Sequence, residues 1–137
     1  GDGEMADRIA HHRARRPASW QTIDTPLALA AALREHAHPQ CCVLVDCLTL
    51  WMSNLLGELD EARFTRERDA LVETLPGLPG DIVLVSNEVG LGIVPLGELT
   101  RRFVDETGRF HQALAQRCER VAFVAAGLPL ALKGSFE

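Results

Sequence analysis

The sequence predicts an α/β domain built on a mainly parallel sheet flanked by helices. Three observations carry that prediction. Apolar runs of strand length recur at Cys42-Val43-Leu44-Val45, Ile82-Val83-Leu84-Val85 and Val121-Ala122-Phe123-Val124-Ala125. Stretches with helical periodicity separate them, and strands alternating with helices imply parallel pairing through right-handed crossovers. The first two runs end on polar segments, Asp46 and Ser86-Asn87-Glu88, at the strand ends where open α/β sheets bind ligands. Continuous apolar runs of this kind suit strands buried on both faces.

Taken in order, residues from about 4 to 15 read as a helix with Met5, Ile9 and alanines on one side, closed by Arg16-Pro17, since proline cannot continue a helix. Thr25-Pro26 opens a second helix, residues 27 to about 37, with Thr25 at the N-cap and Pro26 at the first helical position. Pro39 breaks it, and residues 42 to 46 form the first strand. Helices follow over roughly 50–57 and 65–75, then the turn Pro76-Gly77-Leu78-Pro79-Gly80 leads into the strand at Ile82. Past Pro95 the longest helix begins near Glu98, with Leu99, Phe103, Phe110, Leu114 and Cys118 at helical spacing. The last strand, residues 121 to 125, is expected to be buried and to end at Gly127-Leu128-Pro129. Because the chain opens on a helix, an expected first strand is not represented.

At 137 residues the chain is read as a single domain with one packed core. A net charge of −5 argues against general nucleic-acid affinity, which rests on neutralising phosphates with excess positive charge. Every apolar run stops well short of a membrane span, and the Gly-Asp-Gly-Glu start lacks the basic-then-apolar pattern of a leader. The expected location is cytoplasmic. Cys41, Cys42, Cys47 and Cys118 do not follow zinc-site spacing and are read as small thiols, with no metal assigned.

Several residues could carry chemistry. Asp46 ends an apolar strand, where a carboxylate can hold magnesium against nucleotide phosphates; strand ends also carry Asp simply for solvation or helix capping. Glu88 ends the neighbouring run, so the two carboxylates could share one acidic rim. Gly90 and Gly92 let the following loop turn sharply or approach a ligand closely. His11 and His12 precede Arg13, Arg15 and Arg16. An imidazole can attack phosphorus while guanidiniums neutralise the phosphate oxygens; the bland alternative is a basic helix end favoured by the macrodipole. Spacing does not choose between His11 and His12. Arg101, Arg102 and Arg109 are read as a solvated face laced with charge pairs, phosphate contact being the alternative. His36, His38 and His111 have no convergent partners in sequence and are taken as structural.

Four segments together resemble the bifunctional adenosylcobinamide kinase/adenosylcobinamide-phosphate guanylyltransferase family of cobalamin biosynthesis. They are Glu4-Met5-Ala6-Asp7-Arg8-Ile9-Ala10-His11-His12 with Arg16-Pro17 and Trp20; Leu44-Val45-Asp46-Cys47-Leu48-Thr49 with Asn54-Leu55-Leu56; residues 85 to 95, with the very specific Asn87-Glu88-Val89-Gly90-x-Gly92-Ile93-Val94-Pro95; and Arg102-Phe103 through Gly108-Arg109 and Gln112 to Gly127-Leu128-Pro129. The resemblance covers nearly the whole chain in the family's order.

It implies a RecA-like P-loop NTPase fold and two successive reactions. A nucleoside triphosphate, ATP or GTP, phosphorylates the aminopropanol hydroxyl of adenosylcobinamide. GTP then guanylylates an enzyme histidine, and the GMP passes to the corrinoid phosphate to give adenosylcobinamide-GDP. In the family pattern that histidine stands four residues before Arg-Pro, which places the role on His12. Nucleotide contacts fall on Arg13, Ala14, Arg15 and Arg16, on Asp24 (where Glu is the more usual residue) and on Asp46, with magnesium expected at Asp46. The partners implied are adenosylcobinamide and its phosphate, with no nucleic acid, and a homo-oligomer, by resemblance a trimer.

One departure stands out. The family begins with a strand and a Gly-rich P-loop ending in Gly-Lys-Ser, whose amides and lysine cradle phosphates. No such motif occurs here, and the one lysine is Lys133. The chain is therefore expected to match the family domain from a point after its P-loop and to be poor as a kinase by itself. The apolar sheet edge so exposed predicts fragility or association. Two other readings compete: a non-catalytic nucleotide- or corrinoid-binding remnant, and a generic RecA-like ATPase module. The latter has no need of the His12 to Arg16 cluster or of the Gly90-x-Gly92 run.

Overall fold

A computed structural model describes residues 2–136, apart from the side chains of Asp2, Met5, Ile9, His12 and Arg13. The element order is α1 (Asp2–Arg15), α2 (Leu29–His36), β1 (Cys42–Asp46), α3 (Leu48–Glu58), α4 (Glu61–Thr74), a 3₁₀ turn (Leu75–Gly77), β2 (Asp81–Val85), α5 (Glu98–Arg117), β3 (Val121–Ala125) and β4 (Leu128–Lys133). The α/β class therefore stands.

The strands β1 and β2 pair in parallel, Cys42 opposite Asp81 through Asp46 opposite Val85. Both carboxyl ends thus fall at one level, with α3 and α4 forming the crossover between them. The core lies on one face of this pair. Val43, Val45 and Leu84 back onto Leu48, Met52, Leu55, Phe64, Leu71 and Phe110, among other buried side chains. The opposite face carries Leu44 and Val83, which are 43% and 47% exposed. The expectation of burial on both faces is thus corrected: one face alone is covered among the described residues, so burial alternates with the two-residue period of the strand.

A second correction concerns β3. It does not join the parallel pair but runs antiparallel to β4. Gly127-Leu128-Pro129 does not end the strand. The chain reverses at Ala126 and Gly127, with φ of 52° and 74°, the positive values that a two-residue hairpin turn demands at both central positions. Pro129 lies opposite Val124 within an exposed strand, the edge location where a missing N–H is tolerated. Lys133 Nζ donates to the Ala115 carbonyl at 2.8 Å and to that of Gln116 at 3.4 Å, satisfying the free carbonyls at the end of α5.

Helix boundaries moved where side chains overrode local signals. Thr25 does not cap α2, and Pro26 is not its first residue; Ala28 precedes it with no side-chain cap. The carbonyls of Pro26 and Leu27 instead accept from Asn54 Nδ2 at 3.3 Å and Trp51 Nε1 at 2.9 Å on α3. Buried Trp51 needs such a partner for its indole N–H, and its ring packs tilted against Phe110 at 5.6 Å. The helix α4 starts earlier than the apolar pattern implied, because Asp60 Oδ1 accepts from the Arg63 N–H at 2.9 Å and Glu61 complements the positive helix end. On α5, Phe110 and Leu114 are buried as expected, whereas Leu99 is 69% exposed.

Candidate active site

The parallel register brings the ends of β1 and β2 together, and the polar segments after them form a rim. On the β1 side, Asp46 closes the strand and Thr49 is the second residue of α3. On the β2 side follow Ser86, Asn87 and Glu88. A line of hydrogen bonds crosses the rim. The Asn87 backbone N–H donates to Thr49 Oγ1 at 2.7 Å, Thr49 Oγ1 lies 3.3 Å from Ser86 Oγ, and Ser86 Oγ lies 2.6 Å from His111 Nε2. His111 reaches this point from the middle of α5. Half-buried there, its imidazole is pushed below its ordinary pKa by loss of hydration, against the opposing pull of the Glu88 carboxylate.

The structure therefore corrects one sequence-based reading: His111 has convergent partners. Its contact with Ser86 spans 25 residues of chain, and that between Ser86 and Thr49 spans 37. The one local hint was its place beside core residue Phe110 on α5, which is too common a position to single it out.

Asp46 and Glu88 are each engaged separately. Arg16 Nη2, just past α1, comes to 3.9 Å from Asp46 Oδ2, so two of the sequence-predicted site residues do meet. Glu88 turns back on its own loop, where Oε1 accepts from the Gly90 N–H at 2.5 Å. Among the described residues no three of His, Cys, Asp and Glu gather as a metal site. A single strand-end carboxylate beside an arginine fits magnesium only in the form carried on a nucleotide, with one carboxylate and the remaining ligands from phosphates and water.

The rest of the predicted cluster that the structure describes is exposed. Ala14 and Arg15 lie exposed at the end of α1, His11 is exposed one turn earlier, and Asp24 is exposed in the loop before α2. The side chains of His12 and Arg13 lie outside the described residues. The loop after Glu88 presents Leu91, Ile93, Val94 and Leu96 to solvent. It is held onto α5 by Arg101 Nη1, which donates to the carbonyls of Pro95 and Leu96. Beneath it is a hollow of about 70 Å³, too small for a nucleotide. Arg102 pairs with Glu61, and Arg109 with Glu106 at 3.1 Å, so these arginines form the charge-paired face expected of them.

No helix among the described residues is long and apolar enough to cross a membrane. Residues 1–132 match the family model described as cobinamide kinase / cobinamide phosphate guanyltransferase. The chain is 65% identical to the bifunctional adenosylcobalamin biosynthesis protein CobP of Pseudomonas aeruginosa over 134 residues, covering 98% of this chain and 78% of that protein. It is 36% identical to the bifunctional adenosylcobalamin biosynthesis proteins CobU of Escherichia coli and of Salmonella typhimurium, in each case covering 96% of this chain and 80% of the relative. The chain belongs to the cobinamide kinase / cobinamide phosphate guanyltransferase family.

Proposed function

We propose that this chain serves the two reactions of its family on a RecA-like framework. In the first, a nucleoside triphosphate phosphorylates the aminopropanol hydroxyl of adenosylcobinamide. In the second, His12 attacks the α-phosphorus of GTP and pyrophosphate leaves. An oxygen of the corrinoid phosphate then attacks the guanylyl-histidine, freeing His12 and giving adenosylcobinamide-GDP. The observation that carries this reading is the meeting of Arg16 with Asp46, which joins the segment bearing His12 to the rim of the parallel strands. Parallel β1 and β2, with a carboxylate at the first strand's end, support the framework.

Arg13, Ala14, Arg15, Arg16 and Asp24 would contact the nucleotide, with guanidiniums offsetting charge as it develops on the phosphoryl oxygens. Asp46 would hold magnesium together with the triphosphate, and the ion supplies further charge neutralisation. Glu88 would shape the acidic side of the rim. The assembly proposed is a homo-oligomer, with a trimer the expected form, and the location cytoplasmic. Lys133, the one lysine of the sequence, donates to carbonyls at the end of α5, so within residues 1–137 the phosphate contacts would fall to arginine.

Labelling with GTP radioactive at its α-phosphate tests the transferase reading. An acid-labile, base-stable label lost in His12→Ala and kept in His11→Ala is expected. Absence of label in the folded wild type, or its retention in His12→Ala, overturns the histidine assignment.

A further inference from the structure

Resting on the transferase reading, we propose that Ser86 and His111 are positioning residues that, through Thr49 and the Asn87 N–H, fix the segments after β1 and β2 so that the strand-end rim is held in place for phosphoryl and nucleotidyl transfer. The argument begins with which atom donates. Asn87 N–H can only donate, so Thr49 Oγ1 accepts from it at 2.7 Å. That leaves the Thr49 proton to point elsewhere, and Ser86 Oγ is 3.3 Å away. Ser86, accepting there, sends its own proton to His111 Nε2 at 2.6 Å. All four groups are satisfied in one direction if the imidazole carries its proton on Nδ1 and leaves Nε2 bare. Burial favours the neutral ring, as that arrangement requires.

The line has structural reach. Thr49 stands three residues beyond Asp46, Ser86 directly follows β2, and His111 is the fourteenth residue of α5, which starts at Glu98. The ends of both parallel strands and the long helix are thereby pinned to one another. A short Ser–His contact could instead signal an activated nucleophile. Two features oppose that reading here. Ser86 Oγ has Thr49 on its other side, and the adjacent Asn87 N–H is turned to Thr49 and is not open as an oxyanion donor. The pair is built to fix a position.

Wild type, His111→Gln, His111→Leu and Ser86→Ala would be compared by two readouts. One is kcat and KM for GMP transfer from GTP; the other is the ¹⁵N spectrum of the His111 ring and the Asn87 amide. Gln can present an oxygen where Nε2 stood, whereas Leu cannot. The expected result is a bare Nε2 in wild type and kcat lowered about 10²-fold in His111→Leu and Ser86→Ala, the scale of a misplaced reacting group. KM should stay within about threefold and Gln should restore most of the rate, since the lost function is orientation. A wild-type ring protonated on Nε2 overturns the proposal, as does an unaffected His111→Leu. So does a His111→Gln as slow as His111→Leu, which would make the imidazole a proton carrier. If wild type transfers no GMP, the transferase reading fails and the Asn87 amide decides: displacement by Leu with recovery by Gln supports the hydrogen-bond line, and no displacement overturns it.

Discussion

Thr107 offers a prediction whose sign is unusual. It is fully buried on α5 and its hydroxyl has no hydrogen-bond partner among the described residues. An unsatisfied buried hydroxyl costs about 1–3 kcal/mol. Thr107→Val replaces that hydroxyl with a methyl group of nearly the same volume, opening no cavity, and the two residues have similar helix propensity. The change should therefore stabilise the protein by about 1–2 kcal/mol. For a chain of this length the unfolding entropy is about 0.29 kcal/mol/K, so Tm should rise by roughly 3–7 °C. Urea and thermal unfolding followed by circular dichroism would measure it. Thr107→Ala is the control: it removes the same hydroxyl together with the methyl, leaving a gap of two heavy atoms that costs about 1–2 kcal/mol, and should come out clearly less stable than Thr107→Val. A Thr107→Val protein less stable than wild type would refute the reasoning, because it would mean that the hydroxyl bonds to a carbonyl of its own helix.

Two further outcomes follow from particular residues. Gly80 has φ +74°, and a Cβ there would meet the His38 and Cys41 carbonyl oxygens at 2.2 and 2.5 Å. Gly127 shares that φ with open space around it. Gly80→Ala should therefore cost at least about 2–3 kcal/mol and Gly127→Ala about 1 kcal/mol; equal urea midpoints for the two would contradict this. The pH dependence has two limbs. Burial lowers the pKa of His111, so as pH falls through 6.5 the unfolded chain binds its proton first and stability drops until the folded group titrates too. Burial raises that of Cys118, against the pull of Lys133, so as pH rises through 9.0 the unfolded thiol ionises first and stability drops again. Urea midpoints should be highest between these values, with a shallower acid limb in His111→Gln.

What the sequence made legible was local. Cys42 to Asp46 and Val121 to Ala125 read as strands because each is an apolar run bounded by polar or turn residues, and α5 read true from its spacing. The partners of those strands were harder. Ala126-Gly127 lacks the Asn or Asp that usually marks a tight hairpin, and Pro129 reads as a stop, so β4 stayed hidden. Continuous apolar character in β1 and β2 suggested two covered faces, but composition records what a strand tolerates and not what lies against it. The candidate site divides in the same way. Asp46 and Arg16 were visible as residue types suited to magnesium and to phosphate respectively, whereas Ser86 and His111 acquire meaning only through contacts made across the folded chain.

How the cations are used explains which of them a nucleotide could recruit. Arg68 donates to Glu106 at 3.0 Å while stacking over Phe64 at 5.4 Å, and both partners of the ion pair are largely covered, at 25% and 18% exposure. Breaking such a pair strands a poorly hydrated carboxylate, so phosphate would compete for that arginine at a disadvantage. Arg102 pairs with Glu61, whose carboxylate is 73% exposed, and lies over the same ring at 5.7 Å. Arg101 serves carbonyls, as does Lys133. Arg16 differs. Its approach to Asp46 is 3.9 Å with the carboxylate 41% exposed, and a loose, wet pair of this kind is worth at most about 1 kcal/mol. On the proposed reading a triphosphate would bring several charges to the same place, so exchanging Asp46 for phosphate oxygens would gain more than it loses. The two strongest basic clusters in the sequence thus have different partners. On α5, Arg101 donates to carbonyls and Arg102 pairs with Glu61, whereas Arg16, closing α1, is the arginine that phosphate would recruit on the proposed reading.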